Sequence, residues 1–150
     1  MKIKRFILAG VALIAIVPIS AAGLHQATSS ACPASQKRGG HLLDLEPLWL
    51  ARVDDYVAAS DQLTVADLKN RKTDEANHNA RPFEQILTEF RAARERLLKR
   101  VGELDASLFA RYISHPRLKT PMRLADHLYF VAEHDDHHLA RIWELVNAVR

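Results

Sequence analysis

The sequence predicts an all-α protein, and three observations support this prediction. Leu, Ala, Arg and Glu, which are good helix formers, dominate the composition. Gly and Pro are scarce, with five and six residues in a chain of 150. Apolar residues recur at helical spacing, and the alternating runs of Val, Ile and Thr that are typical of strands are absent. A chain of this length suffices for one domain.

The N-terminal 22 residues are typical of a secretory signal peptide. A basic start, MKIKR, precedes an apolar run from Phe6 to Ile19, and small residues follow. The run is short for a membrane span, and Pro18 interrupts its end. We therefore expect residues 1–22 to direct export to the periplasm or the outside of the cell. The alternatives are an uncleaved membrane anchor and a cytoplasmic protein.

Residues 23–40 predict a linker, because Pro33, Gly39 and Gly40 occur there among small polar residues. Cys32 is the only cysteine in the chain. An internal disulfide and a cysteine-rich zinc finger are therefore both excluded. The helical domain is expected over residues 41–150.

The charge balance argues against a nucleic-acid-binding protein. The formal net charge is +3, but without Lys2, Lys4 and Arg5 the basic and acidic residues balance. A neutral body lacks the broad positive field that binds phosphates. We expect no nucleic-acid partner, and membrane contact only through the N-terminal segment.

The first helix of the domain is predicted over residues 41–59, where apolar side chains follow helical spacing. Pro47 interrupts this pattern. Either Asp44 caps a helix that begins near Leu45, or the helix is kinked at the proline.

Two further long helices follow. One begins after Pro82, which suits a first turn, and ends near Gly102. The other has Thr120 as its cap and Pro121 at its first position, and it continues to the C-terminus. A short helix is predicted between them over residues 105–112. These helices together predict a bundle.

The last predicted helix carries the motif AEHDDHHLARI. His134 and His138 are four residues apart, so their side chains lie one turn apart and about 40° apart around the axis. They continue the apolar stripe and should face the interior, where two imidazoles at this spacing can bind one metal ion. His137 should point toward the flank. Asp135 and Asp136 are expected to accept hydrogen bonds from the rings and fix their tautomers.

Two histidines make only part of a metal site. A solvated or hydrogen-bonded pair gives the same spacing, and a metal ion needs a third protein ligand. The residues alone leave His41, His78, His115 and His127 as candidates. His127 lies two turns, about 10 Å, from His134 and is better explained as a packing residue.

Two of the predicted helices resemble those of a known family. The stretch HLLDLEPLWLARVDDYV, residues 41–57, resembles the second helix of the DinB/YfiT-like family of helical metalloproteins. The stretch LADHLYFVAEHDDHHLARI, residues 124–142, resembles its last helix. The middle helix also fits the family, through Phe83, Phe90, Arg91, Arg94 and Leu98.

The resemblance implies a four-helix bundle that holds one divalent metal ion through three histidines. Carried over to this sequence, these are His41, His134 and His138. The first helix of the family is atypical here, because the apolar leader and the linker occupy its place. We therefore expect that helix to be replaced by the apolar segment or to be missing.

Three imidazoles suit Zn, Ni, Mn or Fe, and the ligands alone do not choose among them. The resemblance implies a metal-dependent hydrolase or a thiol S-transferase that acts on a small-molecule substrate, and a homodimer by analogy. Asp44 is a weak candidate for the general base, and a helix cap is its alternative role. Two other hypotheses remain: a metal-binding protein without catalysis, and a helical interaction module with Trp49, Tyr129 and Trp143 near its surfaces.

Overall fold

The protein is described by a computed structural model over residues 33–148, and this part of the chain is mostly helical, as the sequence predicts. The signal-like segment 1–22, the beginning of the expected linker and Cys32 lie outside the described residues. Export therefore stays a prediction. Within residues 33–148, no helix combines the length and the apolar character that crossing a membrane requires.

Three long helices dominate the architecture, and two short strands join the last two of them. In chain order the elements are α1 (Pro33–Ala58), α2 (Arg71–Glu75), a 3₁₀ turn (His78–Ala80), α3 (Phe83–Glu103), a 3₁₀ turn (Ala106–Ala110), β1 (Tyr112–Ser114), β2 (Pro121–Arg123) and α4 (Leu124–Asn147).

Helix α1 packs against both α3 and α4 and is the central helix of the described chain. The apolar stripes of these helices meet in one core, as their amphipathic spacing requires. The buried core residues are Trp49, Val53, Tyr56, Leu63, Leu97, Val101, Leu104, Phe109, Ile113, Leu124, Leu128 and Val131.

The linker prediction is wrong for residues 33–40, which form the first turns of α1. Gly39 and Gly40 are needed in this helix because the side chains of Phe83 and His78 pack directly against their backbone, where a Cβ atom would not fit. A Cβ on Gly40 would lie 2.1 Å from Cγ of His78, and one on Gly39 would lie 2.9 Å from Cε2 of Phe83. These glycines therefore mark close packing against the helix, and not a flexible connection.

The predicted start near Leu45 is also wrong, since α1 runs without a break through the exposed Pro47. Asp44 therefore lies in the interior of the helix and is not an N-cap. Its carboxylate has another partner, the buried ring of His78, at 2.8 Å.

The start of the last helix differs from its prediction. Thr120 does not cap it, because Pro121–Arg123 form β2, which pairs antiparallel with β1. Helix α4 begins at Leu124, and the carboxylate of Asp126 accepts hydrogen bonds from the backbone N–H and the guanidinium group of Arg123 at this end. Strands of three residues are too short to show alternation in the sequence, so the hairpin was not predicted. The middle helix agrees with its prediction, and the short helix is a 3₁₀ turn.

Candidate metal centre

Three imidazoles that are distant in the sequence converge at one point between α1 and α4. One ligand atom from each of His41, His134 and His138 lies within 4.8 Å of the other two. The ring centroids are 5.6 Å apart for His41 and His134, 4.9 Å for His41 and His138, and 4.5 Å for His134 and His138. The structure therefore brings together the three residues that the resemblance implied, close enough to hold one metal ion.

Helix geometry explains this convergence. His134 and His138 are one turn apart on α4 and project to the same side. His41 projects from α1, which packs directly against α4. Helix α2 supports the third ring, because the buried hydroxyl of Thr73 lies 3.4 Å from Nδ1 of His41.

The surroundings favour the neutral form of two rings of this cluster, those of His41 and His138. Burial, together with the nearby His134, lowers the pKa of His41. Burial, followed by the influence of His134 and His41, lowers the pKa of His138 to about 4. A neutral imidazole keeps a nitrogen lone pair, which metal coordination requires.

Two ring nitrogens of the cluster lack a hydrogen-bond partner. Nδ1 of His134 and Nδ1 of His138 are both buried, and no described residue bonds to either. Buried polar atoms usually have partners, so orphaned nitrogens in one histidine cluster need an explanation. A divalent ion fits this donor set, because imidazole nitrogens are good ligands for such ions.

The acids beside these histidines do not hold the rings as expected. Asp136 is exposed. Asp135 is fully buried, but its Oδ2 accepts a 2.6 Å hydrogen bond from Nη1 of Arg94. Its other oxygen is 3.9 Å from Nδ1 of His134, which is too long for a hydrogen bond. The same arginine donates from Nε to both carboxylate oxygens of Glu46, at 3.1 Å each.

We call Glu46, Arg94 and Asp135 the buried ionic triad, since their side chains are at most 2 % exposed. The triad joins α1, α3 and α4 close to the histidine cluster. The sequence pattern did not reveal this triad, because Glu46 and Asp135 each lie more than forty positions from Arg94 along the chain. The only signal was chemical: an arginine on the apolar side of a helix needs buried counter-charges.

The other candidate ligands lie elsewhere. His78 bonds Asp44, His127 packs inside the core, and His115 sits in the hairpin loop. His137 is exposed on the flank of α4, as predicted from its position. The carboxylate of Asp44 is hydrogen-bonded to His78, and the weak candidacy of Asp44 as a general base stays a prediction.

A cleft of about 480 Å³ adjoins the cluster. His41 and His134 form part of its lining, together with apolar side chains from α1 and α4. Sites that bind small molecules are typically concave, mostly apolar and of this size. The apolar lining residues from these two helices are Leu45, Leu48, Trp49 and Phe130.

The three aromatic residues predicted near the surface differ in how far their side chains are exposed. Trp49 is only 3 % exposed and belongs to the core, so that expectation is wrong for it. Tyr129 and Trp143 are 66 % and 67 % exposed on α4.

The family comparison agrees with the resemblance drawn from the helix motifs. The model of a family described as the DinB superfamily matches residues 15–142, which is most of the chain. The match begins before the described residues and includes the whole histidine cluster. Comparisons with curated proteins and with solved structures gave no match.

Proposed function

Because the chain belongs to the DinB superfamily, we propose that it binds one divalent metal ion through His41, His134 and His138. We further propose that it is a metal-dependent enzyme acting on a small molecule held in the adjoining cleft. The observation that carries the proposal is the convergence of three imidazoles, of which those of His41 and His134 line this cleft.

The side chains around the cluster have separable tasks in this proposal. The three imidazoles hold the ion, and Thr73 orients the ring of His41. The apolar side chains of Leu45 and Trp49 limit the water beside the cluster and hold the body of a substrate. A bound divalent ion supplies activation of a water molecule or of a thiol, by lowering its pKa. Hydrolysis and thiol S-transfer are the two reaction classes we propose.

Elemental analysis of protein purified without a histidine tag tests the metal site. We expect about one divalent ion per chain, lost in His41→Ala, His134→Ala and His138→Ala. The matched control is His137→Ala, which removes an exposed histidine of the same helix and should keep the ion. Retention of the ion by His138→Ala together with its loss in His137→Ala would show that the ligand assignment is wrong.

Activity screens with added Zn²⁺, Ni²⁺, Mn²⁺ or Fe²⁺ test the enzymatic part. Hydrolysis of esters and amides, and conjugation of a low-molecular-weight thiol to an electrophile, should be compared for the wild type and His138→Ala. Activity that needs both the ion and His138 supports catalysis. Stoichiometric metal without activity in either screen favours a metal-binding protein without catalysis.

A helical interaction module remains the second candidate, and the exposed rings of Tyr129 and Trp143 on α4 favour it. Absence of bound metal, combined with self-association in sedimentation experiments, would support this candidate. A homodimer that also carries the ion is compatible with the first.

A further inference from the structure

The cleft beside the histidine cluster extends along α1 toward a region of different chemistry. His41, Leu45, Leu48 and Arg52 all line it, and they recur at the spacing of one helix face. Eleven residues separate His41 from Arg52, which corresponds to about 16 Å along the helix axis. The cleft therefore has a histidine end, an apolar middle and an end at Arg52.

Arg52 is a buried cation without a paired carboxylate. It is 3 % exposed, and its Nε donates to the backbone oxygen of Thr64 at 2.9 Å. Over residues 33–148, no carboxylate oxygen forms a salt bridge with its guanidinium group. The neighbouring carboxylate of Asp55 accepts a hydrogen bond from the backbone N–H of Thr64 at 2.6 Å.

The second buried arginine of the described chain shows what Arg52 lacks. Arg94 is also buried, at 0 % exposure, and both Glu46 and Asp135 neutralise it. A buried guanidinium without such partners is costly, because it loses hydration without gaining a counter-charge. Since Arg52 lines a cleft, a ligand can supply that charge.

The other groups at this end of the cleft are also suited to an anion. Arg117 and Lys119 also line the cleft, and the positive charge of Arg117 is close enough to Arg52 to act on it. The one carboxylate among the lining residues, Asp67, already accepts hydrogen bonds from the backbone N–H groups of Lys69 and Arg71. The formal charge of the lining is therefore positive, although the body of the protein is neutral overall.

His115 adds a hydrogen-bond donor to the lining of the cleft. Its Nδ1 accepts hydrogen bonds from the backbone N–H groups of Arg117 and Leu118, at 3.3 Å and 3.2 Å. In the neutral ring the proton is therefore on Nε2, which can donate. His115 lines the cleft and is 8 % exposed.

We propose that the Arg52 end of the cleft is an anion-binding subsite for a carboxylate or phosphate group of the substrate. The substrate class is an elongated anion with an apolar body, whose charged group lies at Arg52 and whose reactive group lies at the histidine cluster. The claim that the reactive group lies at the histidine cluster rests on the proposed function. The claim of an anion-binding subsite rests only on Arg52, which has no carboxylate partner among the described residues.

Calorimetric titration of the full chain at low ionic strength tests the subsite. The probes are octanoate, octyl phosphate and 1-octanol, which share an apolar body and differ in charge. We expect both anions to bind more tightly than 1-octanol, and the tighter anion identifies the preferred group. Arg52→Met should weaken anion binding about tenfold or more, as expected for loss of a charge-assisted hydrogen bond. Binding of 1-octanol should not change.

Two controls complete this design. Arg96→Met removes an exposed arginine of α3 that does not line the cleft, and it should leave octanoate affinity unchanged. If circular dichroism shows that Arg52→Met is unfolded, Arg117→Met tests the same subsite at an exposed position, with an expected loss of about twofold to threefold. Equal octanoate affinity in the wild type and the folded arginine variants would overturn the proposal.

A third variant separates the subsite from the metal centre. His138→Ala should retain octanoate binding, because the anion is held at the other end of the cleft. Loss of binding in His138→Ala with retention in Arg52→Met would place the anion at the histidine cluster and contradict the subsite. Absence of metal in the elemental analysis would contradict the proposed function. The octanoate titration would still test the anion-binding subsite, because that binding does not require the metal ion.

Discussion

His127 lies fully inside the core, between the rings of Trp49 and Tyr56, at centroid distances of 5.7 Å and 6.2 Å. Neither of its ring nitrogens has a hydrogen-bond partner among the described residues. Burial, reinforced by the positive charge of Arg52 and by His115, lowers the pKa of His127 to about 3. The ring is therefore a neutral packing residue at physiological pH, as its position on the helix predicted.

The lowered pKa of His127 predicts acid sensitivity of folding. The folded-state pKa of about 3 is below the unfolded value of 6.5. The unfolded chain therefore binds the proton more readily between these values, and stability decreases as pH falls below 6.5. Between pH 8 and pH 5 this one group should cost about 2 kcal/mol of unfolding free energy.

Urea denaturation of metal-stripped protein at pH 8 and pH 5 measures this effect. Other groups also titrate in this range, so the difference between the wild type and His127→Gln isolates the contribution of His127. The variant should lose less stability on acidification, by about 2 kcal/mol. Identical pH dependence in the two proteins would contradict this assignment.

At the scale of single residues, local spacing predicts only part of the site. The pairing of His134 and His138 follows from their four-residue interval on one helix. The participation of His41 came from the family resemblance, because no local pattern links it to α4. The pairing of Asp135 with Arg94 was missed, since a carboxylate shows its partner only when the helices are assembled.

At the scale of elements, the ends of helices depend on contacts made by other segments. The three long helices were predicted because their apolar side chains repeat at helical intervals. Gly40 was assigned to a linker, because the ring of His78 that packs on it comes 38 positions later in the chain. Pro121 was assigned to a helix, because its pairing with Ser114 on another strand is not visible in its own neighbourhood.

The close approach at Gly40 predicts opposite effects of the same substitution at two glycines. Gly40→Ala should destabilise the protein by about 1–3 kcal/mol, because the new methyl group overlaps the ring of His78. Gly102→Ala should stabilise it by about 0.5–1 kcal/mol, because that helical position is open and alanine has the better helix propensity.

Thermal and urea denaturation of these two variants provide the comparison. The chemical change is the same in both, so their difference reports the packing of His78 against α1. If Gly40→Ala is as stable as Gly102→Ala, the close contact between the ring and the helix does not exist.

At the scale of the whole molecule, the buried ionic triad joins the three long helices. Glu46 on α1 and Asp135 on α4 both receive hydrogen bonds from Arg94 on α3. Burial raises the pKa of Glu46, and the hydrogen bonds from Arg94 oppose this rise. The arginine therefore opposes protonation of the buried carboxylate of Glu46.

Loss of Arg94 should weaken the whole bundle. Arg94→Met leaves two buried carboxylates without a counter-charge, which should cost about 3–5 kcal/mol of unfolding free energy at pH 8. The cost should decrease at lower pH, because protonation of the unpaired carboxylates removes the buried negative charge.

The matched control for this prediction is Arg96→Met, which removes an exposed arginine from the same helix. Its unfolding free energy should change by less than about 0.5 kcal/mol. Replacing all three members of the triad by apolar residues should restore much of the stability lost in Arg94→Met. Equal stability of the two single variants in urea denaturation would mean that the triad does not hold the helices together.

The helical run of α1 beneath the cleft has a consequence for selectivity. About three helical turns lie between His41 and Arg52, and Pro47 lies within them without ending the helix, so the two ends of the cleft are held apart by the length of this helix. The length of the helix therefore sets the distance between the two ends of the cleft. For a substrate that spans the cleft as we propose, we expect selection by length, because a molecule whose charged and reactive groups are much closer together than this span reaches one end but not both.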